Sequence, residues 1–252
     1  MTIESQDDMN GVLNAGQVVA YVRDTMLRAI EPGMTTAELD TLGGELLDQM
    51  GARSAPRITY DFPGSTCISV NEEAAHGIPG PRVIQAGDIV NVDVSAELDG
   101  YFADTGGTIV VPPIVDFKAR LCQATQWALK DAVIEARAGA PLNRIGHAIE
   151  RIANSNGFQT IKNVGGHGIG RSLHEEPAGI SGYFNRRDQR RLQLGQVIAI
   201  EPFLSTRSTH LSEAKDGWTL VAHPDNLTAQ FEHTVIVTRG APIVATLSAA
   251  CR

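Results

Sequence analysis

The sequence predicts an α+β protein in which helices cover curved antiparallel strands. Two separate segments each have the pattern of a helix, a glycine break and a second helix. Short segments rich in β-branched residues, bounded by Gly, Pro or Asp-Gly, follow the helices. The strict strand–helix–strand alternation of a parallel sheet does not occur in the pattern, so we expect antiparallel pairing.

The first helical segment covers residues 9–30, whose apolar side chains recur at mostly helical spacing. Pro32-Gly33 ends it. Thr35 and Glu38 have the spacing of a capping box, which predicts the start of a second helix that Gly51 ends.

The second helical segment covers residues of about 117–137 and a shorter helix after Gly139. It repeats the first at a constant offset of 106 residues, since Gly33 matches Gly139 and Gly51 matches Gly157. We interpret this as one catalytic domain, residues 1–252, built from two halves of about 9–111 and 117–240. The alternative is that any two helix–glycine–helix segments look alike.

Four segments are predicted to be strands, because they are short, β-branched and bounded by turn residues. They are residues 90–96, 101–111, 197–200 and 231–238.

Composition excludes several classes of protein. The net charge of −8 argues against a nucleic-acid substrate, since phosphate binding needs a basic surface. No apolar run approaches the roughly 18 residues of a membrane span. The three cysteines, Cys67, Cys122 and Cys251, are few and far apart, which is typical of a reducing compartment. The acidic first residues do not resemble a signal peptide, so a cytoplasmic location is expected.

A hairpin is predicted around Asp99-Gly100, a dipeptide that favours a two-residue type I′ turn. With that turn, Ser95 pairs with Asp104. Asp93 shares the face of Ser95, because side chains alternate along a strand. Asp93 and Asp104 are then diagonal neighbours, about 7–8 Å apart at the backbone.

Two inward carboxylates in a sheet are costly to bury without compensation. The hairpin contains no lysine or arginine, so a divalent cation is the simplest partner. The alternatives are that both aspartates are solvated, or that Asp104 forms a turn beside Gly106-Gly107.

Further candidate ligands lie on or beside glycine-rich or apolar strands. His167 follows a glycine track and His174 comes seven residues later, while Glu201 and Glu232 lie at the ends of apolar segments. Each alone is more often an ordinary surface or core residue. The two aspartates, the two glutamates and one histidine form an oxygen-rich set that suits Mn, Fe, Co or Zn.

These elements resemble the type I methionine aminopeptidases over nearly the whole chain. The matching segments are Cys67-Ile-Ser-Val-Asn-Glu-Glu-Ala-Ala-His76-Gly-Ile-Pro79, Asn91-Val-Asp93, Asp99-Gly100 followed by Asp104-Thr105, Gly166-His167-Gly-Ile-Gly-Arg171, His174-Glu-Glu-Pro177, Ile200-Glu201-Pro202, Asp216-Gly-Trp218-Thr and Gln230-Phe-Glu232-His-Thr234. Any one match is moderate evidence, whereas all of them in this order are very specific.

The resemblance implies a pita-bread fold, with two pseudo-symmetric α+β halves around a curved antiparallel sheet. It implies removal of the initiator methionine from nascent proteins and peptides with a small second residue, with a water shared by two divalent metals as the attacking group. The implied ligands are Asp93, Asp104, His167, Glu201 and Glu232, and Glu201 or another ligand carboxylate would also move a proton.

Other roles are implied near the scissile bond. His76 would contact the substrate backbone, and His174 would stabilise the tetrahedral intermediate. Phe62, Cys67 and Trp218 would form the methionine pocket; core packing or a surface turn is the alternative for these three.

Two features depart from the family pattern. Leu173 replaces an aromatic residue before the second histidine, and residues 179–191 hold four arginines instead of a Pro-Gly loop. That loop is either a solvated surface or a transient contact with the ribosome. We therefore consider a divergent second copy of the housekeeping enzyme, which we expect to be a monomer.

Two rival functions share the expected fold. A proline-specific peptidase would use the same ligands, but the segment from Cys67 to Pro79 argues against it. A non-catalytic binding protein for peptides or ribosomal RNA would be expected to lack some ligands, and all five are present.

Overall fold

The computed structural model of the protein describes residues 1–248, with five helices and fifteen strands among them. Cys67 and Cys122 are buried and unpaired, whereas Cys251 lies outside the described residues. No helix in the described part of the chain has both the length and the apolar character needed to cross a membrane. The helices are α1 (Gln6–Ala29), α2 (Thr36–Gln49), α3 (Ala55–Tyr60), α4 (Asp116–Glu135) and α5 (Asn143–Ser155).

The strands pair antiparallel throughout the named sheets, which confirms the predicted α+β class. They are β1 (Arg53–Ser54), β2 (Cys67–Val70), β3 (Glu73–Ala75), β4 (Ile89–Leu98), β5 (Tyr101–Val110), β6 (Gln159–Thr160), β7 (Gly165–Gly168), β8 (Glu175–Ser181), β9 (Val197–Ile200), β10 (Phe203–Ser205), β11 (Ser212–Glu213), β12 (Leu220–Val221), β13 (Thr228–Gln230), β14 (His233–Ile236) and β15 (Ile243–Val244).

Capping boxes begin both helices of the first pair. Thr35 and Glu38 cap α2, as predicted. Ser5 and Asp8 cap α1 in the same way, so that helix begins at Gln6, before the apolar pattern that starts at residue 9. A cap satisfies backbone N–H groups that have no partner within the helix, which is why it, and not the apolar pattern, fixes the first residue.

Each helix pair covers one sheet with its apolar face. α1 and α2 share a buried core with β4, in which Val19 and Leu39 contact the cluster that contains Val92. This sheet has the order β1–β4–β2, with β5 also paired to β4. α4 and α5 share the other core, which includes Ile145 and Ile198, with the five-stranded sheet β15–β14–β9–β7–β8.

The β4–β5 hairpin has the predicted register. Ser95 pairs with Asp104, and the turn residues Asp99 and Gly100 have φ angles of 52° and 83°. Positive φ at both central residues is the requirement of a type I′ turn. The face opposite Asp93 carries the valines of β4, which are fully buried. The hairpin therefore presents its apolar face to the helices and its carboxylates to the other side.

The element boundaries follow the predicted repeat. α1 ends at Ala29 and α4 at Glu135, an offset of 106 residues, and α2 and α5 end at Gln49 and Ser155 with the same offset. The division into two halves is consistent with these boundaries and stays a prediction.

The strand predicted at residues 231–238 was wrong at its start, because β14 begins only at His233. Glu232 lies in a break between β13 and β14, where its backbone N–H donates to the carbonyl of Gly106 on the hairpin. This bond takes Glu232 out of the ladder of its own sheet and places it beside β5.

Candidate metal centre

Acidic and histidine side chains from both sheets converge at the inner end of a cleft. Ligand atoms of Asp104, His167 and Glu232 all lie within 4.8 Å of one another. His167 Nε2 is also 3.8 Å from Glu201 Oε1, and Asp93 lines the same cavity. We call these five residues the floor of the site; they are the five that the sequence predicted as ligands.

Backbone hydrogen bonds fix Asp104 and Glu232 relative to each other. The N–H of Asp104 donates to Thr234 Oγ1 at 2.9 Å, and that hydroxyl donates to the Asp104 carbonyl at 2.8 Å. The Thr105 hydroxyl donates to the Glu232 carbonyl at 2.8 Å. The guanidinium of Arg23, a buried residue on α1, in turn donates to Thr105. The two carboxylates are thus held by bonds that cross between the two sheets.

Burial and mutual repulsion dominate the electrostatics of the floor. Burial, followed by the negative charge of Asp104, raises the pKa of Asp93 and of Glu201 well above the ordinary range. The pKa of Glu232 is raised for the same two reasons. Burial also raises the pKa of Asp104 to about 6, although a hydrogen bond with Asp93 opposes the shift. Four carboxylates in one place need a compensating charge to ionise together.

The donor set fits a divalent cation. Asp104 Oδ1 and Glu232 Oε1 are buried and have no hydrogen-bond partner within the described structure. Within residues 1–248, His167 is the basic side chain that lies within ion-pair distance of the floor carboxylates. Unpartnered carboxylate oxygens are costly in a buried site, and a bound cation removes that cost.

His167 is oriented as a neutral ligand. Its Nδ1 lies 2.9 Å from the Gly168 carbonyl, which can only accept, so Nδ1 carries the proton. Nε2 then directs its lone pair toward Asp104 and Glu201. Burial lowers the pKa of this imidazole to about 3, which keeps it neutral. A backbone carbonyl that fixes the tautomer is the usual support of a metal-binding histidine.

Gln230 is a site residue that the sequence did not single out beyond its place in a matched segment. Its Nε2 donates to Glu232 Oε2 at 3.0 Å, while its Oε1 accepts from Asn91 Nδ2 at 2.9 Å. A Cβ at Gly106 would lie 2.0 Å from Gln230 Oε1, so a larger residue there would displace the Gln230 amide. The signal in the sequence was the pair of glycines after Asp104, which was weighed only as a turn.

The floor lies in a cavity of ≈ 270 Å³ that has an apolar wall beside it. The three predicted wall residues, Phe62, Cys67 and Trp218, line it together with Leu173 and Pro56. Phe62 and Trp218 meet edge to face, with ring centroids 5.2 Å apart. Burial raises the pKa of the Cys67 thiol, so it contributes to the wall as an uncharged, weakly polar group.

Two predicted histidines lie at the opening of this pocket. His76 has a φ of 53°, and it and His174 both line the cavity. Burial lowers the pKa of each imidazole. His174 packs on His167 with ring centroids 4.1 Å apart, and its Nδ1 lies 2.6 Å from the hydroxyl of Tyr60. Tyr60, His76 and His174 are called the mouth; sequence analysis missed Tyr60, which belongs to no matched segment.

The arginine-bearing loop at residues 179–191 lies away from the cavity lining. Arg190 donates to the carbonyls of Ala178 and Gly179 and pairs with Asp188. Arg191 donates to the carbonyl of Gly139. Two of the four arginines thus hold the loop in place, and the ribosome contact stays a prediction.

Known proteins match the chain along almost its full length. A model of metallopeptidase family M24 matches residues 10–239. Methionine aminopeptidase 2 of Bacillus subtilis (strain 168) is 44% identical, over 98% of this chain and 99% of its own. The crystal structure of a methionine aminopeptidase from Thermotoga maritima superposes with a TM-score of 0.93 at 32% identity, covering 98% and 99% of the two chains. The prolidase from Pyrococcus furiosus, at 22% identity and a TM-score of 0.76, shares the fold, and this chain covers 66% of it.

Proposed function

The chain belongs to metallopeptidase family M24, and from the site it carries we propose that it removes the N-terminal methionine of peptides and new proteins. It is a metal-dependent aminopeptidase. The observation that supports this function best is the juxtaposition of a five-residue acidic floor with a small apolar pocket. One face supplies hydrolytic chemistry and the other recognises a single side chain.

Asp93, Asp104, His167, Glu201 and Glu232 would hold two divalent cations. Oxygen-rich ligation with one histidine suits Mn, Fe, Co or Zn. When bound, such a pair supplies an acidified water and polarises the carbonyl of the scissile bond. The unpartnered oxygens on Asp104 and Glu232 support these two residues as ligands.

Glu201 is proposed to move the proton. Its carboxylate takes the proton released by the attacking water and passes it to the leaving amine. Glu201 lines the cavity together with Asp104 and His167, so its carboxylate is positioned to act on a water held there.

The mouth acts on the substrate backbone. His174 donates an N–H to the carbonyl oxygen of the scissile bond as negative charge develops there. His76 contacts the substrate backbone from the other side of the opening. Because burial lowers the pKa of both imidazoles, they act as neutral hydrogen-bonding groups at neutral pH.

The pocket selects methionine by shape and softness. Phe62, Cys67 and Trp218 offer aromatic faces and a thiol, which suit the flexible and polarisable thioether of methionine. The free α-amine of the substrate meets the acidic floor, which would explain why one residue is removed at a time.

The test is hydrolysis of Met-Ala-Ser by protein reconstituted with Mn²⁺, Fe²⁺, Co²⁺ or Zn²⁺ in turn. We expect release of free methionine, no turnover of Gly-Pro, and a loss of about 10²–10⁴-fold in kcat for Glu201→Gln. Preference for Gly-Pro would instead indicate a proline-specific peptidase. Absence of both bound metal and peptidase activity would indicate a binding protein, and full activity of Glu201→Gln would refute the proton-transfer role.

A further inference from the structure

The hydroxyl of Tyr60 has no place in the function proposed so far, although it makes a short contact inside the mouth. Its oxygen lies 2.6 Å from His174 Nδ1, across 114 residues of sequence. The two rings also pack together, with centroids 5.5 Å apart and planes at 47°. Tyr60 is the last residue of α3, and both side chains line the cavity.

Within the described residues, Tyr60 is the side chain that hydrogen-bonds the His174 imidazole. The other close group is the His167 ring, which packs against it at an interplanar angle of 48° and does not hydrogen-bond it. Ser172 reaches only the backbone carbonyl of His174. Among side chains of the described residues, the hydroxyl of Tyr60 is therefore the group whose hydrogen bond orients the His174 ring.

A neutral imidazole exists as two tautomers, one protonated at Nδ1 and the other at Nε2. An acceptor at Nδ1 selects the first tautomer, and a donor selects the second. Stabilising negative charge in the cleft requires the proton on Nε2, because Nδ1 is already directed at Tyr60. A phenol O–H is a good donor, and burial raises the pKa of Tyr60, so its proton stays in place.

We propose that Tyr60 is a positioning residue, which donates its O–H to His174 Nδ1 and so holds His174 as the Nε2–H tautomer that faces the substrate. This inference rests on the role of His174 given under the proposed function. Tyr60 does not touch the reacting atoms itself.

The local backbone keeps Tyr60 in reach of His174. α3 has Pro56 in its first turn, and the residue that follows the helix, Asp61, has a φ of 58° that turns the chain away from the helix axis. The next residue, Phe62, is buried in the pocket wall. The short helix and the buried Phe62 thus place Tyr60, which is 44% exposed, at the opening of the cavity with its hydroxyl directed at His174.

Tyr60→Phe tests the proposal, because it keeps the ring and removes only the hydroxyl. The matched control is Tyr21→Phe, an exposed tyrosine on α1 away from the cavity. The first readout is the pair of ¹⁵N shifts of His174 in the zinc-loaded protein, since Zn²⁺ is diamagnetic, with His174→Gln used for assignment. We expect Nε2–H shifts in the wild type and in Tyr21→Phe, and shifts averaged between both tautomers in Tyr60→Phe.

The second readout is turnover of Met-Ala-Ser. We expect kcat of Tyr60→Phe to fall about 10–100-fold, as when an outer support of a site is removed, with KM and bound zinc unchanged. Unchanged ¹⁵N shifts, or unchanged kcat, would overturn the proposal. The shifts do not depend on activity, so failure of the proposed function would leave all variants inactive yet the tautomer result readable.

Discussion

The floor and the mouth of the site lie side by side but are held in place by different means. At the floor, Asp104 and Glu232 are fixed by backbone hydrogen bonds between two sheets, through the hydroxyls of Thr105 and Thr234. At the mouth, His174 lies on the loop before β8 and depends on one hydrogen bond from Tyr60.

The floor and the mouth also differ in the charges that they carry. The floor concentrates like charges that raise one another's pKa, so its side chains would move apart unless rigid strands held them. The mouth carries neutral groups that must admit a peptide and release it. The floor therefore serves metal binding and the mouth serves contact with the substrate. We expect substitutions at the floor to reduce both metal content and activity, and substitutions at the mouth to reduce activity alone.

The largest effect is expected at the floor, from Asp104→Asn. The neutral amide of the asparagine cannot supply the negative charge that balances a bound cation, so metal binding and peptide hydrolysis should both be lost. The loss should exceed the roughly 10- to 100-fold that a change outside the ligand set costs. The measurements are metal content after dialysis and kcat on Met-Ala-Ser. Retained metal with lost activity would show that Asp104 acts on the substrate, as the mouth does, and is not a metal ligand.

The same variant should be the more stable one when metal is removed. The pKa of Asp104 is about 6 in the folded protein against 3.8 ordinarily. The folded state therefore binds more protons in this window, and the free energy of unfolding falls as pH rises through it. In chelator, urea denaturation above about pH 6 should show Asp104→Asn to be more stable than the wild type, and the difference should disappear in strong acid.

At the mouth, His174→Gln should reduce kcat by about 10²–10³-fold, as expected when one hydrogen bond to developing charge is removed. Metal content should be unchanged, because His174 stacks on His167 without supplying a floor ligand. The control is His210→Gln, an exposed histidine outside the cavity. Loss of metal in His174→Gln would show that His174 also contributes to metal binding and would contradict its assignment to the mouth.

A smaller effect is expected from the pocket wall. Trp218→Ala removes the edge-to-face partner of Phe62 and should reduce kcat/KM for Met-Ala-Ser about 10–200-fold. Trp127→Ala is the control, since that tryptophan is exposed on α4. Equal effects of the two substitutions would show that Trp218 matters for stability and not for recognition.

Sequence reasoning reached one part of the floor without help from any family. The Asp99-Gly100 turn sets the register of its hairpin, and register brings Asp93 and Asp104 to one face, because side chains alternate along a strand. This inference needs only local geometry. The helix pairs followed from apolar spacing and capping residues for the same reason.

The rest required contacts between distant parts of the chain. His167 lies on β7, Glu201 directly follows β9, and Glu232 directly precedes β14. These strands pair only in the folded sheet, so the convergence of the three side chains was expected from the family resemblance and not from spacing. The start of β14 was missed because the partner of the Glu232 N–H is Gly106, on the other sheet. Tyr60 was missed because its partner lies 114 residues away and neither residue has a periodic pattern around it.

The bond between Thr105 and Glu232 joins residues 127 positions apart, which has a consequence for biosynthesis. At roughly 5–20 residues per second, the ribosome adds the second partner on the order of ten seconds after the first. During that interval the β4–β5 hairpin carries Asp93 and Asp104 without the floor residue Glu232. The complete floor therefore forms only after Glu232 has emerged from the ribosome, and a newly made copy cannot act on other chains before then.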